Sequence, residues 1–427
     1  MSNLTNQTNN QDYLKISSYE ARPHQIQKVL LLYSGGLDTS MMLKYIPETY
    51  PNVEMYTLTL DIGQQNDDLT MVKAKAEKFG AIKAIVYDAK EEFATEVLAK
   101  GILANACYQG EYHLSTPMGR VITSQIAVQV AKELGCDTIA HGCTGKGNDQ
   151  VRFDSYITTL NPDLKIIAPV REWNMDRDAQ IDYAQKHNIP VPAKKDFPYS
   201  VDDNMWGMTW EGGEMEVAGE IPKVEIFLTT YTLYKNAPDQ EEYVELTFYK
   251  GLPTAINGQS DSLVNIIQKL NKIGGKHGVG VAYMLEDRMV GLKDVGVYEL
   301  PGANIIIKAH QRLEKYTSTM TLNELKSTLD IKWAYLCYCA KWFDPAMDAI
   351  NAFNKEANEV VTGTVTVRLF KGTATAVACK SDFGLGHASF NVGKEGVQFN
   401  TNASAGFIEI HSLQMKDAYN KKMKIKN

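Results

Sequence analysis

Residues 28–46 read KVLLLYSGGLDTSMMLKYI, and the parsing of that stretch decides the fold. Val29, Leu30, Leu31 and Leu32 form a short uninterrupted apolar run, the pattern of a parallel strand buried on both faces. The run breaks at Ser34-Gly35-Gly36 and resumes with Leu37, Met41, Met42, Leu43 and Ile46, which reads as a helix. A buried strand, a glycine turn and a helix N-terminus together make an anion site. The glycines let successive N–H groups point inward, and the helix dipole adds partial positive charge. Hydroxyls of Ser34, Thr39 and Ser40 can add donors to phosphate oxygens.

Neither G-x-x-x-x-G-K-[ST] nor G-x-G-x-x-G occurs in this stretch, which excludes the two commoner phosphate loops. S-G-G-L-D-T-S instead resembles the pyrophosphate loop of the N-type ATP pyrophosphatases. Those enzymes cleave ATP between the α and β phosphates and adenylate an oxygen of their substrate. Asp38 is expected near the metal–phosphate cluster, with capping of the following helix as the plainer alternative.

A chain of 427 residues is long enough for two domains and a sizeable core. At 44% hydrophobic and 22% charged it has an ordinary globular composition. The net charge of −7 argues against a general nucleic-acid binder. Six cysteines (Cys107, Cys136, Cys143, Cys337, Cys339 and Cys379) are scattered without a CxxC pair or zinc spacing. That usage fits a reducing cytoplasm rather than a disulfide framework. No apolar run approaches the roughly 18 residues of a membrane span, and the N-terminus lacks a signal-peptide core.

Residues 1–22 are polar and rich in Asn and Gln, and read as a loose extension. From 28 to about 195 strands and helices alternate: strands at 53–60, 84–87, 138–140 and 165–169, helices at 69–79, 91–102 and 120–134. This βαβα rhythm predicts an α/β fold with a doubly wound parallel sheet and ligands at the carboxyl ends of its strands. A boundary is expected near 193–198, after Pro190 and Pro192, separating a nucleotide-binding domain (23–195) from a second domain (196–405). There strands are expected at 223–228 and 242–249, a turn at Asn257-Gly258 and a helix over 262–273. Residues 304–311 read as strand-to-helical, 322–336 as helical, and 359–370 with 373–379 as a hairpin around Lys371-Gly372. This half reads as α+β. Residues 412–424 (Leu413, Met415, Tyr419, Met423) read as a short basic amphipathic helix within a C-terminal segment, 406–427.

Asp61-Ile62-Gly63-Gln64 ends the second expected strand, where its backbone is placed to read adenine with Leu60 as an apolar wall; an ordinary strand-end turn is equally open. The second strong signal is the run from His141 to Phe153, HGCTGKGNDQVRF. Its glycines bring backbone close to a ligand, and Lys146 can neutralise phosphate. Asp149 can hold an ammonium, and Arg152 can take a carboxylate in bidentate fashion. It is no Walker loop, because Gly147 stands where Ser or Thr is needed. Tyr112 opens YHLSTPMGR, in which Thr116 occupies a capping position ahead of Pro117. A third group comprises Ser200, Thr209, Glu286-Asp287-Arg288 and Tyr298. Glu286 and Tyr298 suit a polar amino acid, although a surface ion pair and a core tyrosine are the commoner roles.

Together SGGLDTS, DIGQ, TPMGR, HGCTGKGNDQVRF, GGKHGVG, and E-x-R followed by G-x-Y-E-x-P-G (Gly296 to Gly302) resemble the argininosuccinate synthase family, from about residue 28 to the C-terminal helix. The resemblance implies ATP-dependent condensation of citrulline with aspartate, giving argininosuccinate, AMP and pyrophosphate, with Mg²⁺. It also implies a synthetase and multimerisation role for the second domain and a tetramer, with small-molecule substrates and neither nucleic acid nor membrane as partner. ATP would be bound by Leu32, Tyr33, Ser34, Gly35, Gly36, Leu37, Asp38, Thr39, Ser40, Leu60 and Gly142. Aspartate would be held by Thr144, Asn148 and Asp149, and citrulline by Tyr112, Thr116, Asn148, Arg152, Ser200, Thr209, Glu286 and Tyr298. Arg120 matches a position near the amino-acid carboxylates, and Asp38, Ser34 and Lys146 would assist the chemistry. Cys143 stands where the family commonly has Ala, Asp287 where it commonly has Asn, and residues 1–22 match no motif.

The chemistry agrees with this reading. A ureido oxygen leaves poorly until adenylated, and no protein nucleophile is needed, so positioning and charge stabilisation carry the catalysis. An amidotransferase synthetase would need a glutaminase domain with a catalytic Cys, and a tRNA-thiolating enzyme usually carries paired cysteines or an RNA-binding module. A non-catalytic nucleotide-binding module leaves the second half unexplained.

Overall fold

The computed structural model describes residues 17–65, 68–173, 175, 177–190, 199–227, 232–385, 400 and 402–426. The extension up to residue 16 and the boundary expected at 193–198 lie outside the described residues. The chain divides into two compact units, Met1–Phe383 and Gly384–Asn427.

In the first unit, β1 (Lys28–Leu32), β2 (Glu54–Asp61), β3 (Lys83–Asp88), β4 (Thr138–Ala140) and β5 (Lys165–Ile167) form a parallel sheet ordered β3-β2-β1-β4-β5. Leu30 and Leu32 face one core with Leu58, Phe93 and Val121, while Val29 and Leu31 face another with Met41, Ile46 and Phe79. That division is why β1 reads as continuous rather than alternating hydrophobicity. Each fully buried Leu contributes about 1.5–3 kcal/mol, so the strand is fixed in register from both sides. The chain reverses direction of winding between β1 and β4, and the loops following those two strands flank the crevice where ligands of such sheets bind.

The helix expected over 91–102 is present as Lys90–Glu92 and Ala99–Leu103 joined by a π-helical segment, Phe93–Leu98. The helix expected over 120–134 begins earlier, as Ser115–Leu134, because Pro117 in its first turn has no N–H to leave unsatisfied. Leu114 occupies the N-cap in the left-handed region (φ 62°), so Thr116 is not the cap. The strand expected over 165–169 ends at Ile167, and Pro169 starts a short helix, Pro169–Glu172.

Two antiparallel sheets follow. One is ordered β11-β12-β7-β6, from β6 (Tyr199–Asn204), β7 (Gly207–Gly212), β11 (Val281–Asp287) and β12 (Lys293–Glu299). The other is ordered β10-β9-β8-β13-β14, from β8 (Glu242–Tyr249), β9 (Leu252–Ile256), β10 (Gln259–Ser260), β13 (Gly363–Phe370) and β14 (Thr373–Lys380). The turns at Asn257-Gly258 and Lys371-Gly372 have positive φ throughout, as two-residue hairpins with this twist require. No strand forms at 223–227: after Pro222 one helical turn, Val224–Phe227, buries Val224 beside Trp210, and Leu228 lies outside the described residues. Residues 304–311 lie within a helix, Pro301–Thr317, whose apolar face is wide enough to be fully buried.

The β6–β7 turn locks the first antiparallel sheet to the parallel one. Trp206 is fully buried and its indole N–H donates to the His113 carbonyl at 2.7 Å. Asn204 Nδ2 donates to the Ser115 carbonyl at 3.0 Å, and Met205 N–H to the Ile62 carbonyl at 2.9 Å. Gly63 has φ +82°, and a Cβ there would fall 2.7 Å from that of Met205, so only glycine permits this approach. The DIGQ turn therefore docks the second half of the unit, and Ile62 O is engaged in that docking.

In the second unit, the helix expected over 412–424 is present as Leu413–Lys426, and a further helix, Ala403–His411, precedes it. Phe407, Ile408, Ile410, Leu413, Met415 and Tyr419 are exposed.

Candidate active site

The first loop leaves the carboxyl end of β1 and enters the helix Leu37–Thr49. Gly35 has φ +80° and Gly36 is the N-cap, with no side chain capping the helix, so its first N–H groups remain available for an anion. Asp38 lies in the first turn rather than at the cap. Ser34 Oγ and Thr39 Oγ1 are 3.1 Å apart, Ser40 Oγ donates to the Gly35 carbonyl at 3.1 Å, and Thr59 Oγ1 donates to the Tyr33 carbonyl at 2.7 Å. Lys75 Nζ, on the helix Leu69–Phe79, donates to the same Gly35 carbonyl at 3.0 Å. Burial lowers its pKa. The sequence reading missed Lys75, which sits on a polar helix with no motif around it.

The second loop leaves β4 and enters the helix Asp149–Leu160. A Cβ on Gly142 would lie 3.1 Å from Thr39 Cγ2 and 3.7 Å from Asp38 Cβ, so the two loops touch here. Leu32, Tyr33, Leu60 and Gly142 thus gather at the carboxyl ends of three neighbouring strands. Thr144 and Lys146 are both exposed beyond this contact.

Past the loop the charges concentrate. Asp149 Oδ1 accepts from Arg152 Nη1 at 2.8 Å, and its Oδ2 accepts from Arg120 Nε at 3.0 Å. Burial opposes its charge, but the Arg120 and Arg152 guanidiniums prevail and hold it down at about 2. Arg120 also binds Asp202 on β6, a residue the sequence reading passed over although Ser200 and Asp202 alternate onto one strand face.

A buried cluster of tyrosines around Glu286 adjoins this group. Glu286, buried on β11, accepts from Tyr338 Oη at 2.8 Å and from Tyr298 Oη at 3.1 Å. Burial raises its pKa, opposed by the Tyr338 hydrogen bond and the Arg152 charge. A Cβ on Gly296 would lie 3.1 Å from Tyr298 Oη, so the glycine makes room for that ring to fold back toward Glu286. Tyr112 stacks on Tyr298 with centroids 4.3 Å apart, and its hydroxyl accepts from Thr116 N–H at 2.9 Å. Thr209 pairs directly with Tyr298 across β7 and β12, and Asp202 with Thr209 across β6 and β7. Ser200, outside that row, pairs with Glu211 and is exposed.

Tyr338, at the end of the helix Met320–Tyr338, is the largest omission from the sequence reading. It accepts from Asn148 Nδ2 at 2.8 Å, and its carbonyl accepts from Arg152 Nε at 3.2 Å. Its flanking Cys337 and Cys339 gave no signal. Asn148 Oδ1 in turn accepts from Met289 N–H at 2.9 Å. Arg288 donates to the Lys146 carbonyl at 3.4 Å and pairs with Glu211 and Asp294. Glu211 is pushed up to about 7 by burial and by the charge of Asp294, against the pull of Arg288.

No group of three or more His, Cys, Asp or Glu side chains capable of holding a metal occurs among the described residues. Asp38 is the first-loop carboxylate beside the contact with Gly142. One protein carboxylate suits Mg²⁺ bound chiefly through nucleotide phosphates.

Two family models match the chain: the arginosuccinate synthase N-terminal HUP domain over residues 28–190 and the arginosuccinate synthase C-terminal domain over 199–418. The chain is 44% identical over 390 residues to the argininosuccinate synthase of Symbiobacterium thermophilum, covering 91% of this chain and 97% of that one. It is 46% identical over 393 residues to that of Pyrococcus furiosus (92% and 94% covered) and 43% identical over 389 residues to that of Brevibacillus brevis (91% and 92% covered). With both halves matched in order and identity sustained over nine-tenths of its length, the chain belongs to the argininosuccinate synthase family.

Proposed function

We propose that the chain joins citrulline to aspartate, driven by ATP, releasing AMP and pyrophosphate through a citrullyl-adenylate. The observation that carries this reading is the contact of the two loops at Gly142 and Thr39, with buried Glu286 joined to the second loop through Tyr338 and Asn148. The reading needs one site where a phosphate cradle, an ammonium-binding carboxylate and a polar amino-acid pocket meet.

ATP lies along Leu32 to Ser40, Leu60 and Gly142, with β and γ phosphates on the N–H groups of 34–37. Lys75 and Lys146 supply positive charge from either side. Asp38 would hold Mg²⁺ beside the phosphates, and the ion would supply charge neutralisation for departing pyrophosphate. Citrulline lies against Tyr112, Thr116, Arg152, Ser200, Thr209 and Tyr298, with Glu286 oriented by two tyrosine hydroxyls. Thr144, Asn148 and Asp149 hold aspartate, Asp149 taking its ammonium. The ureido oxygen attacks the α phosphorus, pyrophosphate leaves, and the aspartate amine then attacks the ureido carbon and displaces AMP. The protein holds these groups in line and supplies no nucleophile.

Nucleotide handling belongs in this reading to 23–195, the amino-acid pocket and assembly to 196–405, and further assembly to 406–427. A cytoplasmic tetramer is the form we expect. The exposed apolar side chains of the two C-terminal helices and six unpaired cysteines support it, and no helix among the described residues is long and apolar enough to cross a membrane. Pyrophosphate release tests the reaction: sustained release should require ATP, citrulline and aspartate together, with no more than one equivalent per site from ATP and citrulline alone. Release with ATP alone, or sustained release with glutamine replacing aspartate, would contradict it.

A further inference from the structure

Residues 17–22 precede the family match, which starts at residue 28, yet they are built into the site. Ala21 N–H donates to the Ile166 carbonyl at 3.0 Å, and Ile166 N–H donates to the Tyr19 carbonyl at 2.9 Å, so the segment pairs with edge strand β5. This pairing aims Tyr19 Oη at Asp154, to which it donates at 3.1 Å. Asp154 is a buried carboxylate on the helix Asp149–Leu160, and two further groups converge on it.

Those two groups lead to opposite ends of the second loop. At the start of the loop, buried His141 lies with Nε2 2.7 Å from Asp154 Oδ1, while its Nδ1 accepts from Cys143 N–H at 3.2 Å. The Cys143 bond makes Nδ1 the acceptor, so Nε2 carries the proton that Asp154 takes as a hydrogen bond. At the end of the loop, Arg171 Nη1 donates to Asp154 Oδ2 at 2.8 Å and to Gln150 Oε1 at 3.2 Å. Gln150 Nε2 donates to the Gly147 carbonyl at 3.3 Å. One buried carboxylate therefore fixes both Cys143 and Gly147, and between them lies Thr144. A glycine-rich loop has little of its own to hold it, so these two ends, together with Arg288 on the Lys146 carbonyl, carry its geometry.

We propose that the 17–22 segment is a brace for the 142–147 loop, with Tyr19 a positioning residue that acts on aspartate binding through Asp154, His141 and Arg171. Glu286, on the citrulline side of the proposed site, is held by Tyr338 and Tyr298, neither of which bonds to Tyr19, Asp154, His141 or Arg171. The inference rests on the reading of this loop as the aspartate site.

The test is the full chain carrying Tyr19→Phe, which removes one hydroxyl and leaves Asp154 its two other donors, so the fold is kept. Amide exchange at 142–147 should quicken, and the aspartate KM should rise about three- to tenfold, the loss of one such hydrogen bond. The citrulline KM should stay within about twofold of wild type. Wild-type exchange at 142–147 would overturn the brace, as would an unchanged aspartate KM or an equal rise for both amino acids. Asp149→Asn serves as control. Where it too leaves the aspartate KM unchanged, the assignment of the loop has failed, and exchange at 142–147 alone decides the brace.

Discussion

The Tyr338 hydroxyl donates to Glu286 at 2.8 Å across 52 residues of sequence, and this single bond ties the end of a long helix to the buried carboxylate of β11. The same hydroxyl accepts from Asn148, so one side chain orients a group from each half of the unit. Glu286 keeps both oxygens occupied by tyrosine hydroxyls, which compensates part of the cost of its burial.

Tyr338→Phe should therefore raise the citrulline KM by about tenfold, with a smaller fall in kcat, since Glu286 loses one of two donors and Asn148 loses its acceptor. The ring and its stack on Tyr108, with centroids 3.8 Å apart, survive the change. Steady-state kinetics with citrulline varied will decide. An unchanged KM would remove Glu286 from citrulline recognition.

Asp149→Asn should abolish useful aspartate binding while ATP still binds with near wild-type affinity, because the ammonium loses its counter-charge and the phosphate cradle is untouched. Stability should also fall, by about 3 kcal/mol, as Arg120 and Arg152 are left side by side with less negative charge between them. Nucleotide binding by calorimetry and a urea titration separate the two effects. Lost ATP binding would show that the substitution disturbs the first loop instead.

The parallel sheet was legible because β1 carries its evidence locally: Val29 to Leu32 must be apolar on both faces, and Ser34-Gly35-Gly36 must turn. The second loop was legible as a turn between strand and helix for a similar reason, its glycines and charged residues lying within one short run. Tyr338 and Asp202 were not, because each acquires meaning only from partners far away in sequence: Glu286 is 52 residues from Tyr338, and Arg120 is 82 residues from Asp202. The strand expected at 223–228 failed because apolar content alone does not separate a strand from one helical turn burying Val224. Thr116 was misread as a cap because Leu114 turns the chain through a left-handed conformation that no residue preference signals.

Away from the site, buried Lys326 lies between Glu314 at 3.0 Å and Asp330 at 2.7 Å. Burial raises Asp330 to about 6, against the attraction of Lys326. Its folded pKa exceeds the unfolded value, so the native state binds the proton more tightly. The resulting stabilisation is full below about pH 4 and is lost as pH rises through 6. Relative to Asp330→Asn, wild-type stability should fall by on the order of 2–3 kcal/mol across that window and then level off. Paired denaturant titrations from about pH 4 to about pH 7.5 measure it. A flat difference would show that Asp330 stays ionised throughout.

The reaction path is open to a test of atoms. If the citrulline ureido oxygen attacks the α phosphorus, that oxygen must leave with AMP, because the aspartate amine can displace only an activated oxygen. Citrulline labelled with heavy oxygen at the ureido position should yield labelled AMP and unlabelled pyrophosphate. Gly36→Ala makes the first loop answerable for the step. Unlike Gly35, which has φ +80° and Val72 only 3.0 Å from an added Cβ, Gly36 would place its Cβ 3.5 Å from Ser34 Oγ, an ordinary contact. The free protein should therefore tolerate the methyl, and crowding arises only when phosphate approaches the backbone. Label transfer to AMP should slow by about tenfold or more while the citrulline KM and the unfolding midpoint stay near wild type. Label found in pyrophosphate, or retained in the condensed product, would rule out the adenylate route and with it the role of Ser34-Gly35-Gly36 as the cradle for departing pyrophosphate.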